Sequence, residues 1–437
     1  MDKFFHSVYL DPELCKGCIN CLKRCPTEAI RVRKGKASIT KEYCIDCGEC
    51  VRICPHHAKK SATDPLEIIK NYKYKVALPP PSLYAQFNNL EDKSLVLNAL
   101  IALGFDDVFE VAAAAEIVSE MTRNLISKNK SGLPIISSAC PAVVRLIRVR
   151  FPNLIDFISP LASPMEIAAE LAAKNAIKKT GLDRTEIGIV FITPCPAKYS
   201  DIYSPLRKEK SGVDCAVAMS EIYPKLVHYM KKLFNDEMFL RQYREDISVA
   251  GKIGISWGRR GGEASGLLID NFLAADGIEN VIKVLEDLED DKLKNLPFIE
   301  LNSCNGGCVG GVLTVENPYI AKVKLNAIRK YLPVSGSHLK NLKEPECAFS
   351  KGKIKFLPVY NLGDTVAESI QIMQKADILM EILPGLDCGC CGAPTCRAHA
   401  EDVARGIASE SDCIHILRKY IGNFTDKLKN INDDWTN

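Results

Sequence analysis

The chain has nineteen cysteines in 437 residues, most of them in short clusters. Cys15, Cys18, Cys21 and Cys25 are followed by Pro26. Cys44, Cys47, Cys50 and Cys54 are followed by Pro55, so each cysteine recurs 29 positions later. Two C-x2-C-x2-C-x3-C-P runs in tandem have the spacing of a pair of [4Fe–4S] cubes. Three close thiolates hold three corners of one cube, and the fourth cysteine goes to the other. This assigns Cys15, Cys18, Cys21 and Cys54 to one cube and Cys44, Cys47, Cys50 and Cys25 to the second. Zinc also takes four thiolates, but the doubled repeat and both prolines favour iron–sulfur. Near the end, Cys388, Cys391, Cys396 and Cys413 are spaced C-x2-C-x4-C-x16-C around a Gly-Ala-Pro turn and can hold another cube. Between these regions lie Ser137-Ser138-Ala139-Cys140-Pro141, Thr193-Pro194-Cys195-Pro196-Ala197-Lys198 and Cys304-Asn305-Gly306-Gly307-Cys308. Each follows a predicted strand, the end at which α/β sheets place ligands. Four thiolates converging there can hold one more cube, and the glycines let backbone approach a bulky group.

These motifs need elements to position them. Strands are predicted at 74–78, 107–111, 134–138, 187–193, 252–257 and 298–302, alternating with helices at 95–103, 112–126 and 141–149. The βαβα alternation implies an α/β architecture with largely parallel sheets. The first 60 residues predict a small pseudo-symmetric α+β unit. A polar loop is predicted at 340–353 and a helix at 365–381. Three domains are therefore expected: 1–65, 66–375 and 376–437. The chain carries 57 Lys+Arg against 54 Asp+Glu, a formal charge of +3, which argues against nucleic acid as the partner. Its apolar runs are too short to span a bilayer. The opening residues lack a signal-peptide pattern, so a cytoplasmic protein with no membrane partner is expected. There a disulfide scaffold is a poor reading of so many cysteines and metal binding the better one.

The first 60 residues resemble bacterial two-cluster ferredoxins, whose role is electron conduction. The fragment LDCGCCGAPTC resembles the small iron–sulfur domain of redox-complex and corrinoid-protein subunits. That pattern has an ordinary residue where Cys390 stands, so Cys390 is read as a non-ligand. The three central motifs resemble the signature motifs of [FeFe]-hydrogenases, in the same order. The resemblance implies two mostly parallel sheets flanked by helices, an N-terminal α+β ferredoxin-like domain and a small, mostly helical C-terminal iron–sulfur domain. It also implies an H-cluster, a [4Fe–4S] cube joined to a diiron unit carrying CO, cyanide and azadithiolate. Cys140, Cys195 and Cys304 would hold the cube and Cys308 would bridge to the diiron unit. Lys198 falls where the family lysine binds a cyanide, and Pro81 and Ser82 fall where family residues contact the diiron ligands. Trp257 and Gly258, in the run WGRRGGE, match a turn lining that pocket.

The departures shape the expected function. Catalytic members have a proton-donating cysteine where this chain has Ala139. Their two relay acids fall on Ser119 and Thr122, while Asp201 is a candidate stand-in for a relay glutamate. Two family methionines are replaced by Thr193 and Asn302, and hydrogen bonds from Thr193, Asn302 or Ser303 would tune the cofactor. An intact cage without its relay, plus a tail cluster domain, resembles the sensory [FeFe]-hydrogenases that lack a PAS domain. The resemblance implies slow, reversible oxidation of dihydrogen to protons, hydrogenase maturation proteins and a separate redox or signalling partner. A homodimer stays open. The alternatives are an ordinary catalytic hydrogenase with another proton path and an electron-transfer protein without the diiron unit. Cys215 is expected in the core, Cys347 as an incidental thiol, and His56 and His57 as solvated side chains. The Arg259-Arg260 pair is expected to turn into the pocket or to pair with Glu263.

Overall fold

The computed structural model describes residues 5–129, 132–236, 241, 243, 247–293, 295–336, 348–350, 352–359 and 361–435, with side chains of the last helix described as far as Leu428. Cys347 and most of the 340–353 segment lie outside the described residues. Where the sequence reading counted three segments, the chain forms two compact units. The first comprises residues 1–7, 45–48 and 61–357, and the second 8–44, 49–60 and 358–437.

The first unit is an α/β core with two parallel sheets. In one, the strands run in the order Asp107–Val108, Tyr74–Leu78, Ile187–Thr193, Cys215–Ala218. In the other, the order is Leu273–Asp276, Phe298–Asn302, Ile135–Ile136. Every residue of Ile187–Thr193 is buried, as its unbroken apolar run IGIVFIT requires of a parallel strand covered on both faces. Cys215 is fully buried in its strand, as expected. Helices Val111–Lys128 and Pro164–Thr180 flank the first sheet. The second of these starts where Ser163 Oγ accepts from Glu166 N and Pro164 fills the first turn, and it ends at Gly181 with φ +71°.

One predicted strand is a helix. Residues 252–257 form the short helix Lys252–Ser256, ending at Trp257. A short apolar run reads equally as strand or helix by periodicity, and a distant residue decides between them. The buried Glu116 carboxylate accepts from Gly251 N at 2.7 Å and Gly254 N at 3.4 Å, satisfying the helix start. A Cβ at Gly254 would lie 2.1 Å from Ala112 O, so only glycine lets the two helices meet.

The second unit brings the head and tail segments together. A hairpin joins Ile30–Arg33 to Lys36–Ile39, with Lys34 and Gly35 both at positive φ as a tight primed turn requires. Cys15, Cys21, Cys50 and Cys54 are buried with Leu22, Ile30 and Ala58 in the core of this small domain. The tail loop lies on the hairpin. Val32 N donates to Gly392 O at 2.9 Å, and Arg33 Nη1 donates to Cys391 O at 2.5 Å. The buried Asp402 accepts from Arg31 Nε at 2.7 Å and Arg33 Nη2 at 2.8 Å. Helices Cys396–Ala404 and Ile414–Trp435 follow the tail loop. Among the described residues, no helix is long and apolar enough to cross a membrane.

Candidate active site

In the first unit, the ends of both sheets open onto one buried cavity of about 60 Å³. Pro81 and Ser82 reach it from the end of Tyr74–Leu78, and Lys198 from the helix that follows Ile187–Thr193. Ala139 reaches it after Ile135–Ile136, and Asn302 and Cys308 from the end of Phe298–Asn302. Trp257 and Gly258 close one wall. Cys308 and Cys195 are near enough to Cys140 and Lys198 for their charges to interact. Burial pushes the Cys195 thiol up to about 11 and the Cys308 thiol to about 12, while the Lys198 ammonium pulls both down. A thiol so placed stays protonated unless a metal takes the proton's place. Cys304 follows the strand end four positions before Cys308. Gly307 between them has φ +87°, and a Cβ there would lie 2.6 Å from Arg260 N.

Lys198 and Asn302 of the pocket, and Thr193, which does not line it, are already engaged. Lys198 Nζ donates to Ala139 O at 3.2 Å. Thr193 Oγ1 donates to Cys195 O at 2.8 Å and accepts from Cys195 N at 3.3 Å, so its hydroxyl serves the second motif's turn. Asn302 Nδ2 donates to Glu300 at 2.8 Å. Ser82 Oγ and Ser303 Oγ are buried without a hydrogen-bond partner. Orphaned hydroxyls beside a cage of buried thiols are what a cofactor with acceptor atoms would satisfy, and the donor set is the soft one that iron–sulfur units take.

The acids are not where the sequence pointed. Asp201 does not line this cavity. It lines a separate one with Ser138, Glu166 and Arg207, where burial pushes its carboxyl up to about 6 against the pull of Arg145. Two carboxyls line it: Glu263, the last residue of the WGRRGGE turn expected there, and Glu300, which the sequence did not place in the pocket. Glu263 accepts from Ser137 Oγ at 2.5 Å, and Ser137 Oγ accepts from Ala139 N at 3.2 Å. Burial first, and then the Glu300 charge, raises the Glu263 carboxyl. Burial also raises Glu300, against hydrogen bonds from Ala264 N, Gly261 N and Asn302. The arginine pair splits. Arg260 turns out to Asp276 at 3.4 Å, whereas Arg259 turns inward, its Nε buried and its charge near enough to pocket-lining Glu300 to interact, and Glu263 bonds to Ser137 instead. The two lost relay positions are buried and occupied: Ser119 Oγ accepts from Trp257 Nε1 at 2.9 Å, and Thr122 Oγ1 donates to Val118 O.

Residues 73–262 and 260–312 match the family described as iron only hydrogenase large subunit, C-terminal domain. The chain belongs to this hydrogenase family. Residues 7–55 match a 4Fe-4S dicluster domain, and 383–415 match an Fe-S cluster family. Iron hydrogenase 1 of Clostridium pasteurianum is 25% identical over 325 residues, 63% of this chain and 56% of that protein. A probable cytosolic Fe-S cluster assembly factor of Drosophila ananassae is 22% identical over 330 residues, 65% of this chain and 63% of that protein. A solved [FeFe]-hydrogenase variant from Chlamydomonas reinhardtii superposes with a TM-score of 0.49 at 14% identity, covering 67% of this chain and 96% of that one. The chain spans about half the length of the curated hydrogenases it matches.

Most of the remaining cysteines lie in the second unit. Cys21 is close enough to Cys15, Cys18 and Cys54 for their charges to interact, the set the spacing assigned. Of the other set, Cys25, Cys44 and Cys50 lie in this unit, and Cys47 belongs to the 45–48 segment of the first. Cys388, Cys391, Cys396 and Cys413 line one tail cavity together with Cys390 and the buried His399. Asp387 accepts from Cys396 N at 2.6 Å and fixes the loop. His56 and His57 are exposed.

Proposed function

We propose that this chain is a hydrogen-responsive [FeFe]-hydrogenase of sensory type, which oxidises dihydrogen slowly and reversibly and passes the electrons along [4Fe–4S] clusters to a separate redox or signalling protein. The observation that carries this reading is the buried cavity in which Lys198 and Cys308 meet Ala139, where a proton donor is missing. Cys140, Cys195, Cys304 and Cys308 would hold an H-cluster inserted by maturation proteins, with Pro81, Ser82, Gly258 and Trp257 around its diiron part. When bound, that group supplies the open iron site at which dihydrogen is split or formed. The chain's own task is to move the proton. Ala139 has no transferable proton, and Asp201 faces another cavity. Glu263 accepts from Ser137 Oγ through Oε2, which leaves Oε1 as the atom that holds a proton, with Glu300 next to it. Buried carboxyls with raised affinity for protons suit that role.

A second reading has the assembly-factor relatives in its favour: an iron–sulfur protein with four cubes and no diiron unit. Infrared spectroscopy of protein produced with the maturation proteins separates the two. CO and cyanide bands with slow dye-linked hydrogen evolution are expected. Four cubes without those bands would favour the second reading, and turnover as fast as a catalytic hydrogenase would overturn the sensory one.

A further inference from the structure

The last helix, Ile414–Trp435, is the least covered element of the second unit. Ile416 is buried in its first turn, and every residue from Leu417 to Leu428 is exposed. A helix of 22 residues is about 33 Å long, and one of mixed composition is marginal in water without a packed face. Its exposed apolar residues are regularly spaced. Ile414, Leu417, Ile421, Phe424 and Leu428 alternate steps of three and four, and the sequence continues the pattern at Ile431 and Trp435. This is a heptad with every a and d position apolar. Between them stand Arg418, Lys419, Asn423, Thr425, Asp426 and Lys427, and Tyr420 is the one exposed apolar residue off the seam.

We propose that the chain forms a homodimer through a parallel two-stranded coiled coil of this helix. A membrane-surface helix carries a wide apolar face, whereas a strict a/d stripe is the narrow seam that fits a second helix. Three features favour a second copy. Ile414 and Ile421 at a, with Leu417 at d, is the pattern that favours two parallel strands. In that register the g and e positions face each other across the coil, which sets Tyr420 against Thr425 of the second copy. The basic residues Arg418 and Lys427 then face no cation, so self-pairing meets no like-charge penalty. Five seam residues from each helix, at about 100 Å² of apolar surface apiece, bury on the order of 1,000 Å², the scale a specific interface needs. Cys413 immediately precedes the first seam residue. If the tail cysteines hold a cube, as the proposed function assumes, the two tail cubes sit at the same end of the coil, where helix axes are about 8–10 Å apart. The pairing itself does not depend on that assumption.

Light scattering and sedimentation of the cluster-loaded protein test the proposal. Wild type should have the mass of a dimer. Ile421→Lys with Phe424→Lys should be a monomer with unchanged iron per chain, and Asp426→Lys, off the seam, should remain a dimer. Orientation is tested with Leu428→Cys in a Cys390→Ser background, treated anaerobically with diamide. Two facing thiols each lose a hydrogen to diamide and form one disulfide. Covalent dimer is expected in the parallel register, and its absence from a dimeric protein would overturn that register. A monomeric wild type, or a dimer that survives the seam charges, would overturn the pairing. A monomer that floats with anionic phospholipid vesicles would assign the seam to a membrane instead.

Discussion

The central cage and the tail cage use the same donor and are assembled differently. Cys140, Cys195, Cys304 and Cys308 follow three strand ends between positions 140 and 308, and Cys308 lines a cavity that also holds two buried carboxyls. Cys388, Cys391, Cys396 and Cys413 come from one short stretch, folded over the head hairpin. A local cage needs only a turn, and cluster binding can itself order it. A cage built from sheet ends is held by the whole α/β core, so its walls can carry groups that have nothing to do with holding a cube. On the proposed function, the contrast would separate a place that stores an electron from one where a proton also has to move.

The sharpest break of this comparison is Cys308→Ala. In the central cage it should abolish the CO and cyanide bands completely while the head and tail cubes stay, as read by iron content and EPR. Cys413→Ala in the tail should cost only that cube and leave the bands intact. Bands that persist without Cys308 would mean that the two cages do not differ as described.

Glu263→Gln tests the carboxyl itself. The amide keeps the shape and the bond to Ser137 and removes the exchangeable acid. Hydrogen turnover should fall by roughly 10²-fold or more, the scale of general acid–base catalysis, with the infrared bands unchanged. Asp201→Asn should leave turnover close to wild type, because Asp201 lines another cavity. Equal losses in both variants would count against the Glu263 route.

The legibility of the sequence follows the same division. The tail set and the Cys15, Cys18, Cys21, Cys54 set, each of which the structure brings together, were readable because their members are close in the chain, and thiolate spacing is a local signal. The strand ends of the central motifs were readable because the apolar runs 187–193 and 298–302 are strong. Glu263 was legible as the end of the pocket turn but not as an acid of the site, and Glu300 was not placed in the pocket at all. Glu300 stands in an unremarkable strand, and only parallel pairing and the turn at Gly261 bring it to Glu263. The 252–256 helix was misread for a related reason, since Glu116, more than a hundred positions earlier, satisfies its start. Asp201 was placed by its distance from Cys195 in the chain, and that distance does not say which side of the motif a helix turns toward.

A gain of function is the next, smaller effect. Ala139→Cys puts a thiol on the cavity wall beside Lys198 and should raise hydrogen evolution by less than ~10²-fold, measured at matched infrared occupancy. The gain is limited because the positions that would resupply the thiol, Ser119 and Thr122, are buried and already bonded. An acid at Ser119 would have its carboxylate tied up by the Trp257 indole N–H that Ser119 Oγ now accepts, so the pair of changes should gain less than two independent improvements would. No gain from the thiol would place the limit in cofactor potential or electron supply.

The smallest expected effect concerns the tail. Cys390 lines the same cavity as the four assigned ligands, which gives the site five thiols where a cube needs four. The five differ in burial. Cys396 and Cys413 are buried and Cys388 and Cys391 half-buried, whereas Cys390 is exposed and its thiol is raised chiefly by its contact with the Cys388 sulfur. A ligand to a cube is shielded from solvent, and Cys390 is not. Cys390→Ser should therefore leave iron content and the reduced EPR signal unchanged, while removing the thiol that reacts fastest with an alkylating reagent in the loaded protein. Cys388→Ser should lose about four iron atoms per chain. If the two variants behaved in the opposite sense, Cys390 would be the ligand. The spacing would then be C-C-x4-C-x16-C, and the tail would no longer contrast with the central cage as a site whose ligands follow from spacing alone.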